Sequence, residues 1–395
     1  MTFAGSADGI VGELVGLRRR LHAEPEVGLN LPATQATILD ALAGLNLEIT
    51  TGGALSSVTA VLRGALPGPT VLLRADMDGL PVIEATGLDF AATNGMMHAC
   101  GHDLHMAGLV GAARLLAARR EHLAGTVIMM FQPGEEGFAG GRLMIDEGVL
   151  DAAGDTPIAA FAIHVDCSTD LGLFVTRAGP IMASASGLRI TVTGTGGHAA
   201  FSHLAVDPIP ASAAIVLALQ TFVSRRVPAA DPAVVSVVSI VSDSTAPNVL
   251  ATRVELFVNI RTLSRETFAL VRSSIMELVE AIGVAHGCTV ETEFIDSYPV
   301  THNDVVETTR VLAMLEAHHG ADRVFRMPAP SMASEDFAYV LEKVPGTLVF
   351  VGARPASVAA TGAPSMHSES AVFDDSILGL HAETLAEMAW QRLAQ

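Results

Sequence analysis

Cys100 and His102 stand two residues apart with Gly101 between them, in the run Met97-His98-Ala99-Cys100-Gly101-His102-Asp103. A thiolate and an imidazole at that spacing can converge on one ion from a tight turn, and the glycine permits the turn. Three further stretches supply compatible groups. Glu135 and Glu136 follow Pro133-Gly134. One of two neighbouring carboxylates can bind a cation while the other faces an attacking water as general base. His164 follows six apolar residues, and His367 lies in the polar run Ser365-Met366-His367-Ser368-Glu369-Ser370. Taken singly, each has an ordinary explanation as a chance pair, a solvated acidic turn, a core histidine or a loop histidine. Together, Cys100, His102, Glu136, His164 and His367 make a mixed soft and hard ligand set. Such a set suits a dinuclear transition-metal site with positions left open for catalysis. A thiolate shared by two ions is reasonable chemistry, because metal binding deprotonates a thiol that otherwise titrates near ~8.5.

The elements that must hold these groups are legible in the hydropathy. Thr70-Val71-Leu72-Leu73 is continuously apolar and runs into Arg74-Ala75-Asp76-Met77-Asp78; Thr126–Phe131 runs into Gln132-Pro133-Gly134-Glu135-Glu136; Ile158–Ile163 runs into His164. Runs of this kind predict central strands buried on both faces, with metal-competent residues at the end of each. Between them the sequence predicts helices over about 8–22, 33–43, 103–120 and 139–147, the third capped by Asp103. Alternating strands and helices predict an α/β fold with a mainly parallel sheet, and such sheets bind ligands beyond the carboxyl ends of their strands.

From Ser186 the pattern changes to strict alternation, with Leu188, Ile190 and Val192 interleaved with Arg189, Thr191 and Thr193. The order that follows reads βαββαβ, the ferredoxin-like arrangement, with Asp207-Pro208 opening its first helix. This predicts a discontinuous first domain over 1–183 and 297–395 and an inserted α+β domain over 184–296. The chain then returns with helices over about 303–319 and 335–341, a strand over 347–351, a loop holding His367 and a last helix from about Ser376. The Gly194-Thr195-Gly196-Gly197-His198 turn lacks the full phosphate-binding fingerprint, which argues against a nucleotide.

Charge narrows the partners. The 395 residues carry 23 Lys and Arg against 42 Asp and Glu, a formal net charge of −19, which repels nucleic acid and anionic membranes. Lys343 is the only lysine. Three cysteines are too few for a disulfide framework and fit a reducing cytoplasm. The N-terminus has no basic start followed by an apolar run, and the stretch 211–223 is too short to span a bilayer.

The motifs together resemble the metal-dependent amidohydrolases of the aminoacylase and carboxypeptidase superfamily. The branch with hippurate hydrolases, indole-3-acetyl-amino acid hydrolases and N-acetyldiaminopimelate deacetylases is the most similar. The resemblance covers nearly the whole chain. It runs from Arg20-Leu21-His22 with Pro25-Glu26, through Leu73–Asp78, Met97–Asp103, Phe131–Glu136 and Ile163-His164, to Gly196-Gly197-His198-Ala199 with His203 and Asp207-Pro208-Ile209. It continues in Pro247-Asn248-Val249, Arg261-Thr262, Ser334-Glu335-Asp336-Phe337 and Met366-His367-Ser368.

The resemblance implies that Cys100, His102, Glu136, His164 and His367 hold two divalent ions (Mn, Zn, Co or Ni), with Cys100 as the bridge and Glu135 as general base. It implies that Asp78 sits beside the metal site, and that the inserted domain forms a lid and a homodimer whose His198 reaches the partner's site to stabilise an oxyanion. It also implies that Asn248, Arg261 and His203 contact substrate. The expected reaction is hydrolysis of an N-acyl amino acid. A dipeptidase or carboxypeptidase on the same site is the alternative enzyme, and a catalytically silent metal-binding scaffold the alternative of another class. The family pattern is broken at Ser202, at Leu250-Ala251-Thr252, at Ala333 and at Glu369. All four lie around the lid or pocket rim, where they bear on substrate choice.

Overall fold

A computed structural model of the chain describes residues 2–394, and it divides into two compact units. The first comprises the chain up to Ile181, His302–Ala329 and the chain from Asp336 onward; the second comprises Met182–Thr301 and Pro330–Glu335.

The first unit is built on an eight-stranded sheet in the order Glu48–Thr51, Val58–Arg63, Ala124–Gln132, Leu66–Asp76, Ala159–Asp170, Gly346–Arg354, Phe174–Thr176, Val324–Arg326. Its four central strands, from Ala124–Gln132 to Gly346–Arg354, pair in parallel. The apolar runs lie here because strands covered by helices on both faces have no solvent side. Residues 70–76 are buried without interruption. Register sets Asp76 directly opposite Gln132, so the polar ends of two strands share one edge of the sheet.

The third run departs from expectation. Its strand does not stop at His164 but continues to Asp170, paired with Gly346–Arg354, with His164 opposite Phe350 and an irregularity between Gly352 and Arg354. The neighbouring strand Gly346–Arg354 supplies main-chain partners beyond the apolar run, and this outweighs the change in side-chain polarity.

Helix His102–Ala117 packs against helix Val11–Ala23 and the terminal helix Ile377–Leu393. The close approach needs a missing side chain: a Cβ on Gly108 would lie 1.9 Å from His381 Nδ1. The terminal helix begins at Ile377, as the sequence reading expects within a residue, whereas the expected helix over 335–341 forms only at Ala338–Leu341. Asp336 instead turns its polar groups toward the sheet, as described below.

The second unit holds a four-stranded antiparallel sheet in the order Ala233–Ser242, Arg253–Thr262, Ala185–Thr193, Thr289–Tyr298. Helices Pro208–Arg226 and Arg265–Ala285 cover one face. Leu188, Ile190, Val192, Leu256 and Val258 meet Ile215, Leu219, Val271 and Ile275 in its core. The Asp207 carboxylate accepts from Ile209 N and the Ser264 hydroxyl from Thr267 N, so both helices begin with side-chain caps. A short ribbon pairs Gly197–His198 with Val249–Leu250. No helix among the described residues is long and apolar enough to cross a membrane.

Candidate metal centre

Gly101 decides the geometry between Cys100 and His102. Its φ is +84°, and a Cβ there would lie 2.4 Å from Val165 Cγ2. Only glycine fits, and the turn it makes carries the chain straight into the helix that begins at His102. Asp103 is therefore not the cap that the sequence suggests. It is the helix's second residue, buried, and accepts from Arg18 Nε at 2.7 Å and His22 Nδ1 at 2.8 Å. It ties this helix to Val11–Ala23 instead.

His102 donates from Nδ1 to the main-chain oxygen of Asp78 at 2.8 Å. That bond fixes the tautomer and leaves Nε2 as the ligand atom. Nε2 is buried and has no hydrogen-bond partner among the described residues. His164 follows the same logic: Nδ1 donates to Val165 O at 2.7 Å, and Nε2 points to Cys100 Sγ at 3.5 Å. His367 is a non-glycine residue in the left-handed region, with φ +68°. Its N–H donates to Ala99 O at 3.0 Å, which brings its loop onto the Cys100 turn. Strain of this kind is maintained where the surroundings dictate it, commonly at functional sites. The ring places Nε2 3.3 Å from Cys100 Sγ and 3.1 Å from Glu136 Oε1.

Glu135 and Glu136 are aimed through their main chain. The Asp78 carboxylate accepts from Glu135 N at 2.9 Å and from Glu136 N at 3.0 Å. Asp78 thus holds the acidic turn with its side chain and His102 with its carbonyl.

Of the five groups of potential ligand atoms among the described residues, two contain a thiolate, Cys100 with His102 and His164, and Cys100 with Glu136 and His367. Within each, the ligand atoms lie within 4.8 Å of one another. Cys100 belongs to both. The electrostatics match a cation. Burial lowers the pKa of His102, yet Asp76, Asp78 and Glu136 outweigh it and raise the value to about 10. A site whose acidic groups hold a proton this firmly on a buried imidazole favours positive charge, and the orphaned Nε2 is where an ion would bind.

Residues 72–391 match the family model described as peptidase family M20/M25/M40. This chain belongs to that family. An N-acetyl-L-cysteine deacetylase of Bacillus subtilis is 36% identical over 341 residues, which cover 86% of this chain and 80% of the relative. Thermostable carboxypeptidase 1 of Saccharolobus solfataricus is 35% identical over 346 residues, 86% of each chain. A crystal structure of a dinuclear metal-binding M20 peptidase from Bacillus subtilis superposes with a TM-score of 0.84 at 30% identity, covering 98% of this chain and 99% of that one. The M20 chain is accordingly a metal-dependent hydrolase of linear amide bonds.

Behind the M20 centre lies a buried polar network of which the residue-by-residue sequence reading singled out only Asp76, as a metal-competent strand end. Arg74 donates to Asp76 Oδ2 at 2.5 Å, to Gln132 Oε1 at 2.9 Å and to Asp336 Oδ1 at 2.8 Å. His105 donates from Nδ1 to Asp76 Oδ1 at 2.5 Å and accepts Val165 N–H at Nε2, 2.9 Å. Burial, eased only in part by Asp76, pushes His105 down to about 3, so it serves as a neutral tie. His98 is buried and pushed down to about 3 by burial as well. The one available signal was position: Arg74, Asp76 and Gln132 all fall where apolar strands end.

His198, His203, Asn248 and Arg261 belong to the second unit of the M20 chain. His198 and Asn248 are exposed neighbours, because the ribbon continues with Ala199 N donating to Asn248 O at 3.0 Å. His198 Nδ1 accepts from Ala200 N at 3.1 Å, which leaves Nε2 as the protonated nitrogen. His203 is exposed, and Arg261 is half-buried, donating to Ser334 Oγ at 2.8 Å and Asn259 Oδ1 at 3.2 Å.

Proposed function

We propose that this M20 enzyme hydrolyses the amide bond of N-acyl amino acids, with Cys100, His102, Glu136, His164 and His367 holding two divalent ions. The observation that carries this reading is that Cys100 Sγ is shared by two groups that between them hold His102, His164, Glu136 and His367, which suits a thiolate common to two ions. Mn, Zn, Co and Ni all match the mixed sulfur, nitrogen and oxygen donors. The ions, when bound, would supply Lewis acidity to the scissile carbonyl and to the attacking water. Glu135 takes the water's proton and returns it to the leaving amine. Its burial, and its anchoring by Asp78, suit a base held in one position. His198 offers Nε2–H to the oxygen that gains charge, and loss of such a donor typically costs about 10²–10³ in rate. Asn248, Arg261 and His203 are the substrate contacts in this reading.

The N-acetyl-L-cysteine deacetylase supports an acyl amino acid as substrate. The carboxypeptidase relative supports the second reading, peptide cleavage by the same machinery. A panel of acetyl-, benzoyl-, indoleacetyl- and fatty-acyl amino acids beside dipeptides, assayed for amino acid release with Mn- or Zn-loaded protein, separates them. Release from one acyl class and silence on dipeptides is the expected result; the reverse would establish the peptidase.

The inserted unit, over about 184–296, is assigned as lid and homodimer contact, with His198 serving the partner's site. Its edge strand Ala233–Ser242 exposes Val234, Val238, Ile240 and Val241, an apolar edge that soluble proteins generally cover. A monomer in sedimentation equilibrium would refute this. Three buried cysteines, none in a disulfide among the described residues, fit a reducing cytoplasm.

A further inference from the structure

Asp336 is fully buried and its main-chain N–H donates to Glu135 Oε1 at 3.3 Å. Its own carboxylate is held on three sides. Arg74 Nη2 donates to it at 2.8 Å, Gln132 Nε2 reaches both oxygens at 2.8 Å, and Gly141 N donates at 2.8 Å. Arg74 and Gln132 are in turn bonded to each other and carried by two paired strands near their ends, with Arg74 opposite Met130 and Gln132 opposite Asp76. The amide that faces Glu135 cannot shift without breaking bonds between buried groups, and each such loss leaves a polar atom unsatisfied.

We propose that Asp336 is a positioning residue for the hydrolysis: its locked carboxylate fixes the main-chain N–H that orients the Glu135 side chain. The inference rests on the reading of Glu135 as general base. A glutamate reaches its reacting atom through three rotatable bonds, and a base must be aimed to within a fraction of an ångström to be effective. Asp78 grips Glu135 at its main chain. That leaves the far end of the side chain to be set, and the Asp336 amide is placed to set it. The network thereby converts the rigidity of the central sheet into the direction of one carboxylate.

Asp336→Asn is nearly isosteric but removes the charge opposite Arg74 and turns an NH₂ group toward donors on Gln132 and Gly141. The amide behind Glu135 should shift. Turnover should fall about 10–100-fold, while KM stays within about twofold and metal content by plasma mass spectrometry stays at the wild-type level. In a Glu135→Gln background the same substitution should cause no further loss, because the group it positions is already disabled. Gln132→Met, which removes two of the bonds to Asp336 and leaves its charge pair with Arg74, should lower turnover less, again without loss of metal. It decides the matter if Asp336→Asn does not fold. Wild-type kcat in a folded, metal-replete Asp336→Asn would overturn the proposal. So would an equal loss on top of Glu135→Gln, or a lowered melting temperature with kcat unchanged, which marks a purely structural role. An active Glu135→Gln enzyme would instead sink the base assignment itself, a result independent of Asp336.

Discussion

Glu135→Gln should keep its metal and lose almost all turnover. The substitution preserves shape and leaves intact the two bonds by which Asp78 holds the 135–136 turn, because those run from main-chain N–H groups. The amide oxygen can still accept from Asp336 N. What disappears is the ability to take a proton from water, and a positioned general base is typically worth about 10²–10⁴ in rate. Glu136 cannot substitute, since its carboxylate oxygen lies 3.1 Å from His367 Nε2 in the ligand cluster. The measurement pairs amino acid release with metal content and circular dichroism on the same preparation. Retained turnover would remove Glu135 from the chemistry; lost metal with lost turnover would make it a ligand instead of a base.

The parts of this molecule that were legible in sequence are those governed by local rules. Buried parallel strands read as apolar runs because helices cover both faces, and Leu66–Asp76 and Ala124–Gln132 form as that rule requires. The inserted unit read as βαββαβ because one sheet face is covered and the alternation of Leu188, Ile190 and Val192 records it. The Cys100-Gly101-His102 turn, a chance pair if taken alone, was legible only beside Glu136, His164 and His367, and the glycine at its centre does adopt the left-handed conformation such a turn needs. What escaped was set by partners distant in the chain. Arg74 and Asp336 are 262 residues apart, and no periodicity links them. Asp103 looked like a helix cap because Arg18 and His22, which claim it, lie more than 80 residues away. His164 looked like a strand end because its polarity changes there, while Gly346–Arg354 alone extends the strand. The candidate ligand set was recognisable as residue types, but the shared position of Cys100 is a fact of three dimensions.

Cys100→Ala is expected to strip the centre of metal more completely than loss of any other single ligand. The other ligands each join one of the two groups built on the thiolate, His102 and His164 in one and Glu136 and His367 in the other; Cys100 joins both. Substituting even a group that only orients a ligand commonly costs about 10–100-fold in metal affinity, so removal of a shared ligand should cost at least that for each ion. The acidic surroundings add a second penalty. Without ions, Asp76, Asp78 and Glu136 hold a proton on His102, whose pKa they raise to about 10 against the effect of burial. Metal must displace that proton, so a weakened site loses the competition progressively as pH falls. Plasma mass spectrometry should find the purified variant well short of two ions per chain, with the deficit growing between pH 8 and pH 6. Thermal unfolding gives the independent readout: a chelator should lower the melting temperature of the wild type, which binds metal in the folded state, and leave that of Cys100→Ala nearly unchanged. Two ions per chain and a normal chelator response in the variant would mean that the thiolate is not a ligand. The centre would then have to be rebuilt around His102, Glu136, His164 and His367, with the bridging position taken by a group other than sulfur.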